Sequence, residues 1–235
     1  MEKVSLLKVG GVCAILAVVS FIAAIVVQFV TGDIGPGDLA RNPRQSLLDV
    51  NQDRTAFLTF QWLFLLASVL LIPAALGFYR ALYQAGTTLW IAVAALFTGA
   101  LLLMAASMTL IGIAYELVPA YVAAGESTRS ALAAMASTLA VTALVAIRTG
   151  YSLSLGIGVG LFAMASLRMS VLPRWIGWLG LAAALLGGLL RALAPVSEVF
   201  GNIGFLGFLA FLVWMVVMGV ALLRLREPAT MNPPP

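Results

Sequence analysis

Histidine is absent from this 235-residue sequence, and cysteine occurs only once. Without histidine the chain lacks the commonest ligand of zinc and haem, and also the usual general base near neutral pH. The single cysteine, Cys13, cannot form a disulfide within the chain. We therefore expect no metal and no cofactor, and an enzymatic function is disfavoured but left open.

Charged residues are also scarce, at 9% of the sequence, whereas 63% is hydrophobic. Soluble domains carry roughly 25% charged residues, so a water-soluble fold could not cover its surface with these. Continuous apolar runs of about 20 residues recur, which is the length of a helix that crosses a ~30 Å hydrocarbon core. No cluster of lysine and arginine is suited to nucleic acid. The sequence predicts an all-α integral membrane protein whose partners include membrane lipids.

Six apolar segments are predicted to span the membrane as a single bundle over residues 1–226. They comprise residues 6–30, 55–82, 89–117, 150–167, 175–193 and 199–223. The polar segment 31–54 is predicted as an outer loop, in which Ser46–Asp53 can form a short interfacial helix. The last residues, 227–235, end in three prolines and are predicted to be a disordered tail.

The region between residues 131 and 167 holds two apolar runs separated by Arg148, and so permits either six or seven spans. Short cytoplasmic loops are enriched in lysine and arginine. With seven spans, Arg168, Arg174, Arg224 and Arg226 would all lie on the outer side, which contradicts this bias. We therefore predict Ala131–Ile147 as an outer or interfacial helix, Gly150–Leu167 as span 4, and both termini in the cytoplasm. The two segments can also form one long bent helix.

The turn after span 4 is basic and aromatic, and contains Arg168, Pro173, Arg174, Trp175 and Trp178. Arginines in short loops mark the cytoplasmic side of a membrane, and tryptophans mark the headgroup level. We predict that this turn is a cytoplasmic anchor rather than a binding site.

No acidic or basic residue is predicted near the middle of a span, which argues against a proton-coupled transporter, a pump or a voltage sensor. At 1.5 Å per residue, Arg148 and Arg191 lie roughly 25–30 Å from the cytoplasmic ends of their helices. Glu116 and Glu198 are expected at the same outer side. These four residues form a candidate site for an anion or a lipid headgroup, although snorkelling and surface ion pairs explain them without a function.

Small residues recur at helical spacing as Gly156 and Gly160 in one span and as Gly180, Ala184 and Gly188 in the next. Such stripes let helices approach closely in lipid. We expect packing within the bundle, with a dimer face as the alternative.

Gln61 is larger than the serines and threonines of the spans, and we expect it to bond a neighbouring helix. Methionine and aromatic side chains could line an apolar cavity for a lipid or an isoprenoid, although ordinary packing is their commoner role. These residues are Met104, Met108, Met164, Met215, Met218, Phe60, Phe64, Phe97, Phe162, Phe205, Phe208, Phe211 and Trp214.

Three stretches carry a family resemblance: Arg148 to Tyr151, Gly156 to Leu167, and Leu172 to Gly177. Over roughly residues 127–223 the chain resembles a broad bacterial family of six-span membrane proteins, known as domain of unknown function number four-three-eight-six. Its members have a basic residue or histidine before span 4, a glycine-rich aromatic span 4, and a Leu-Pro-Arg turn before span 5. The resemblance implies a location in the bacterial inner membrane and supplies no catalytic residues.

Three functional hypotheses follow. The first is a non-enzymatic bundle that binds lipid or protein partners, as a homo-oligomer or an accessory subunit of a larger membrane complex. The second is a transporter or channel for an apolar or zwitterionic solute, with a kink at Pro73 as its gate, which requires a continuous polar path. The third is a membrane enzyme that acts on a lipid headgroup, which requires a cavity exposing Arg148, Arg191 and an acid.

Overall fold

The computed structural model of the chain describes residues 5–31, 35–169, 171–190 and 198–225, and within them all regular structure is helical. The helices, in chain order, are α1 (Leu6–Thr31), α2 (Pro36–Arg41), α3 (Pro43–Gln52), α4 (Arg54–Leu82), α5 (Thr88–Ala123), α6 (Glu126–Arg168), α7 (Arg174–Ala183, continued by the π-helical Ala184–Leu190) and α8 (Glu198–Arg224). A π-helical stretch also interrupts α5 at Ile113–Leu117 and α6 at Ser152–Val159.

Helices α1, α4, α5, α6 and α8 are each long and apolar enough to cross a membrane. Helix α7 adds ten residues of α-helix and seven of π-helix, and the end of the span predicted at 175–193 lies outside the described residues. The predicted tail 227–235 also lies outside them. The prediction of an all-α membrane bundle is confirmed, and the chain is a multi-pass membrane protein.

The ambiguous region forms one continuous helix, because α6 runs for 43 residues from Glu126 to Arg168. The segments predicted as an outer helix, Ala131–Ile147, and as span 4, Gly150–Leu167, are its two halves. At 1.5 Å per residue α6 is about 65 Å long, twice the thickness of a ~30 Å hydrocarbon core. The structure thus favours one long helix over two separate segments, and part of α6 extends beyond the membrane.

Basic residues gather at one end of the bundle, called here the basic end. Helices α1, α5 and α7 begin at this end, and α4, α6 and α8 finish there. The described residues at this end include Lys8, Arg80, Arg168, Arg174 and Arg224. The opposite end is called the cap end.

The cap end carries a hydrophobic core of its own, separate from that of the bundle. Leu39 of α2 and Leu47 and Val50 of α3 are fully buried, and they pack against a face of small residues on α6. That face comprises Ala133, Ala136, Ala140 and Ala143. The segment predicted as an outer loop, 31–54, therefore contains two short helices that pack on the alanine face of α6. Helix α3 covers most of the short helix predicted at Ser46–Asp53, whereas α2 was not predicted.

Polar contacts fix helices α2 and α3, called here the cap, to α6. The Ser137 hydroxyl donates to the backbone carbonyl of Ala40 at 2.9 Å. Arg44 donates to the Ser130 hydroxyl at 2.7 Å and pairs with Glu126 at 3.4 Å. The junction between α2 and α3 is thus held by side chains of the first half of α6.

Towards the basic end the helices touch backbone to backbone at glycines. A Cβ atom built on Gly10 of α1 would lie 2.6 Å from the Cα of Gly77 in α4, and one on Gly11 would lie 2.8 Å from the carbonyl oxygen of Gly219 in α8. Real Cβ atoms do not approach other atoms this closely, so glycine is required at these crossings. The glycines draw the basic half of the bundle into a tight contact.

Candidate functional site

Four aromatic side chains from four different helices form a closed ring across the bundle. Phe21 of α1 lies edge-on to Phe64 of α4 and to Phe208 of α8, with ring centroids 5.4 and 5.5 Å apart. Tyr151 of α6 closes the ring at 6.3 Å from Phe64 and 5.7 Å from Phe208. Aromatic pairs prefer this edge-to-face geometry to a face-to-face sandwich. These four residues are called here the aromatic floor.

A cavity of about 720 Å³ lies on the cap side of the aromatic floor. Its walls come from α1, α4, α5, α6 and α8, and Gly35–Asp38 closes it from the cap. Beyond the floor, the apolar lining consists of Ala24, Ile25, Phe29, Phe60, Leu110, Leu144, Ile147 and Phe205. Ligand sites in proteins have volumes of about 300–1,000 Å³ and mostly apolar walls. The cavity therefore has the size and the surface of a small-molecule site.

The aromatic floor lies at a depth that a lipid can reach. Phe21 follows the first residue of α1, Leu6, by 15 positions, and Phe208 precedes the last residue of α8, Arg224, by 16. At 1.5 Å per residue the floor is about 22–24 Å from the basic end. With the basic end at one face of a ~30 Å hydrocarbon core, the cavity begins within that core and extends past its other face towards the cap.

A few polar side chains also line the cavity: Gln28, Asp38, Gln61, Ser107 and Tyr151. The Ser107 hydroxyl donates to the carbonyl of its own helix at Leu103 (3.1 Å), and the Asp38 carboxylate accepts the N–H of Gly35 at 3.1 Å. Both groups are thus engaged in local contacts.

Gln61 differs from Ser107 and Asp38 in that its buried amide nitrogen, Nε2, has no hydrogen-bond partner among the described residues. Its side chain is only 1% exposed. The expected bond from this amide donor to a neighbouring helix is therefore not formed. Leaving a buried donor unpaired costs about 1–3 kcal/mol, so a ligand oxygen in the cavity would relieve an existing penalty.

Below the floor, towards the basic end, the interior is filled with side chains. Phe78 lies 5.7 Å from Phe162 and 5.3 Å from Trp214, between ring centroids, and all three are fully buried. The channel hypothesis requires a continuous polar path through the bundle, and these packed apolar side chains give it no support.

Of the four charged residues singled out in the sequence, the structure describes the side chains of Arg148 and Glu116, and these two lie apart. Arg148 is half-buried on α6, next to the cavity-lining Ile147, and is not itself part of the described lining. Glu116 is exposed in the π-helical stretch of α5. Gly150 of α6 packs against Leu103 of α5, and Glu116 lies 13 residues further along α5, or about 20 Å away. Arg148 and Glu116 therefore do not pair.

The other two residues of that predicted site cannot be placed in it. Arg191 lies outside the described residues, and Glu198 begins α8 without a described side chain. The outer site of Arg148, Arg191, Glu116 and Glu198, on which the hypothesis of a headgroup enzyme depends, therefore stays a prediction.

The small residues singled out in the sequence lie between α6 and α7. Gly188 meets Gly156 backbone to backbone, and a Cβ on Gly160 would lie 3.4 Å from the Cβ of Ala184. A Cβ on Gly180 would lie 2.8 Å from the Cβ of Ala163. These contacts lie within one chain, where they hold the two helices together.

The predicted anchor turn lies between α6 and α7 at the basic end. Arg168, Pro173 and Arg174 are exposed, and Trp175 and Trp178 expose 56% and 64% of their surface. Large exposed indole rings next to arginines are typical of a membrane–water interface.

Part of the cavity lining was recognisable in the sequence. Phe60, Phe64, Phe205 and Phe208 belong to the aromatic set predicted to line a cavity, whereas Phe21 was not singled out. A signal for α1 existed, because the lining residues Phe21, Ala24, Ile25 and Gln28 recur at the three- and four-residue spacing of one helix face.

The chain belongs to the family described as a domain of unknown function (DUF4386), whose model matches residues 9–219. This match confirms the family resemblance seen in the sequence and extends it over the first half of the chain. No curated protein and no solved structure matched the chain.

Proposed function

We propose that this member of the family binds one lipophilic molecule in the cavity above the aromatic floor, without catalysing a reaction. The cavity carries this proposal, because its volume of about 720 Å³ and its aromatic and aliphatic walls suit an apolar ligand. Two exposed rings at its edge, Phe29 (77% exposed) and Phe205 (40% exposed), extend the apolar surface towards the surrounding lipid. A hydrophobic molecule dissolved in the bilayer would follow that surface into the cavity.

We further propose that the protein resides in a bacterial inner membrane with its cap on the outer side. The family resemblance supports the membrane, and the gathering of Lys8, Arg80, Arg168, Arg174 and Arg224 at one end supports the orientation, since cytoplasmic ends are basic. The ligand would then be held in the outer half of the bilayer.

The proposal is tested by filling the cavity. Leu144 lines it, whereas the adjacent Val145 is 56% exposed and is not part of the lining. Leu144→Trp places an indole in the cavity, and Val145→Trp places the same indole on the exposed surface of the same helix turn. Each protein is purified in lipid nanodiscs, and the lipophilic molecules retained by it are identified and counted by native mass spectrometry.

We expect the wild-type protein and Val145→Trp to retain the same bound molecule, and Leu144→Trp to lose at least nine-tenths of it. At a ligand concentration well below saturation this loss corresponds to an affinity at least tenfold weaker, or about 1.4 kcal/mol. Equal retention by the two tryptophan variants would refute binding in this cavity. A wild-type protein free of any bound molecule, which also binds no hydrocarbon added to the nanodiscs, would refute it as well.

A further inference from the structure

The described structure contains three buried side-chain nitrogens without a partner, and they differ in their surroundings. They are Arg54 Nε, Gln61 Nε2 and Trp214 Nε1. Arg54 lies 5.3 Å above the ring of Tyr115 in the cap, and Trp214 is packed against Phe78 and Gly180 in the basic half. Of the three, Gln61 is the one that lines the cavity.

The charge of the lining restricts the ligand. Asp38 is the one charged side chain among the described residues of the cavity wall, and Arg148 is not part of that wall. A phosphate or carboxylate inside the cavity would face this negative charge without a described cation to compensate it, and burying an unpaired charge is very costly. The cavity therefore disfavours an anionic ligand, and its mostly apolar walls favour a molecule without a charge.

The rings of the wall restrict it further. Phe21, Phe64, Tyr151 and Phe208 form the aromatic floor, and Phe60 continues it from Phe64 with ring centroids 6.0 Å apart. Aromatic faces and edges attract a planar ring more strongly than an alkyl chain of the same size. Gln61 precedes Phe64 by one helical turn, so its amide lies just above the floor on the same face of α4.

We propose that the ligand is a neutral lipophilic compound with a planar ring and a carbonyl oxygen, and that Gln61 donates a hydrogen bond from Nε2 to this oxygen. The class includes quinone-type compounds. This inference rests on the proposed function and adds the chemistry that the cavity selects. The ring lies on the aromatic floor, and the carbonyl supplies the acceptor that Gln61 lacks in the protein alone.

Two probes of matched shape test the carbonyl. Duroquinone and durene are four-methyl six-membered rings of equal carbon count, one with two carbonyl oxygens and one with none. The quinone ring of duroquinone is fully methylated, so it has no open position for a thiol such as Cys13 to add to. A straight-chain methyl ketone of the same carbon count tests whether the ring is needed. Binding to the full-length protein in nanodiscs is measured by equilibrium dialysis against empty nanodiscs.

The variant is Gln61→Leu, which removes the amide and keeps the volume of the side chain. The matched control is Ser68→Ala, because Ser68 is a fully buried polar residue of the same helix that donates to its own backbone at Phe64 O (2.9 Å) and is not part of the lining. For each probe the affinity of the wild-type protein is divided by that of the variant. This ratio cancels the different partitioning of the probes into lipid.

We expect a ratio of about ten for duroquinone and about one for durene with Gln61→Leu, since a buried donor that gains its partner changes affinity by this order. Ser68→Ala should give ratios near one for both. Equal ratios for the two probes, or a straight-chain ketone that binds as tightly as duroquinone, would overturn the inference and leave the cavity proposal standing. Failure of durene and duroquinone alike to bind the wild-type protein would refute the proposed function itself.

Discussion

The crossing of α5 and α6 at Gly99 sets the position of the aromatic floor, and a single methyl group should disturb it. A Cβ on Gly99 would lie 2.6 Å from the carbonyl oxygen of Gly150 and 2.7 Å from the Cβ of Ser154. The carbonyl belongs to a helix backbone and cannot rotate away. Gly99→Ala therefore forces α5 and α6 apart at the residue that precedes Tyr151 of the floor.

Gly112 provides a matched control on the same helix. A Cβ at this position would meet nothing within 4 Å. Replacing glycine by alanine inside a helix stabilises it by roughly 0.5–1 kcal/mol in the absence of a clash. We expect Gly112→Ala to raise the free energy of unfolding by up to this amount.

Gly99→Ala gains the same helical propensity but adds the cost of overpacking, which is typically about 1–3 kcal/mol. The short distances to backbone atoms place it at the upper end of that range. We expect a net loss of about 2 kcal/mol in the free energy of unfolding. The two glycine variants should thus differ by about 2–3 kcal/mol and have opposite signs.

The free energies are measured by reversible unfolding in mixed micelles, with helix content followed by circular dichroism. Ligand retention is measured on the same samples, because a displaced Tyr151 opens the floor of the cavity. Gly99→Ala should lose both stability and bound ligand, and Gly112→Ala should lose neither. If Gly99→Ala is as stable as Gly112→Ala, the backbone contact between α5 and α6 does not exist as described.

Two further predictions concern the cap and the topology. Leu47→Ala should lower the free energy of unfolding by about 2–5 kcal/mol, since Leu47 is fully buried in the cap core. The control Arg44→Met breaks an exposed ion pair and should lower it by less than about 1 kcal/mol. Equal losses for the two variants in chemical unfolding would contradict a packed cap. In a background with Cys13→Ser, Glu116→Cys should react with a membrane-impermeant maleimide in intact cells, and Arg174→Cys should react in inverted vesicles. The reverse pattern, or labelling of both variants in the same preparation, would exclude the proposed orientation.

The sequence was sufficient for the class of fold, because the low charge content and the long apolar runs leave few alternatives. It was insufficient for the region around Arg148. A charged residue between two apolar runs looks like the end of a span, yet α6 continues through it because its first half leaves the membrane for the cap. Length and charge alone cannot distinguish a helix that ends at the interface from one that crosses it and continues in water.

The cap was predicted only in part, as a short helix at Ser46–Asp53, and for a different reason. Residues 36–52 contain prolines and charges, which indicate a loop, but Pro36 and Pro43 each occupy the first turn of a helix, where proline is favoured. The apolar residues of these helices find a partner only in the alanine face of α6, some 90 residues later in the sequence. Such a contact depends on tertiary packing and cannot be predicted from local pattern.

The location of the cavity follows from where the glycines are. On α1 the glycines are Gly10 and Gly11, and on α4 the glycine is Gly77, so all of them lie in the basic half of these helices, where they contact neighbouring backbones. Beyond the aromatic floor the same two helices line the cavity with larger side chains, among them Ile25, Phe60 and Gln61. Bulky side chains hold the helices apart, and lipid cannot drive them together because it is as apolar as they are. The change from small to bulky residues along each helix therefore separates a closed basic half from an open cap half, and it is the open half that can hold a ligand.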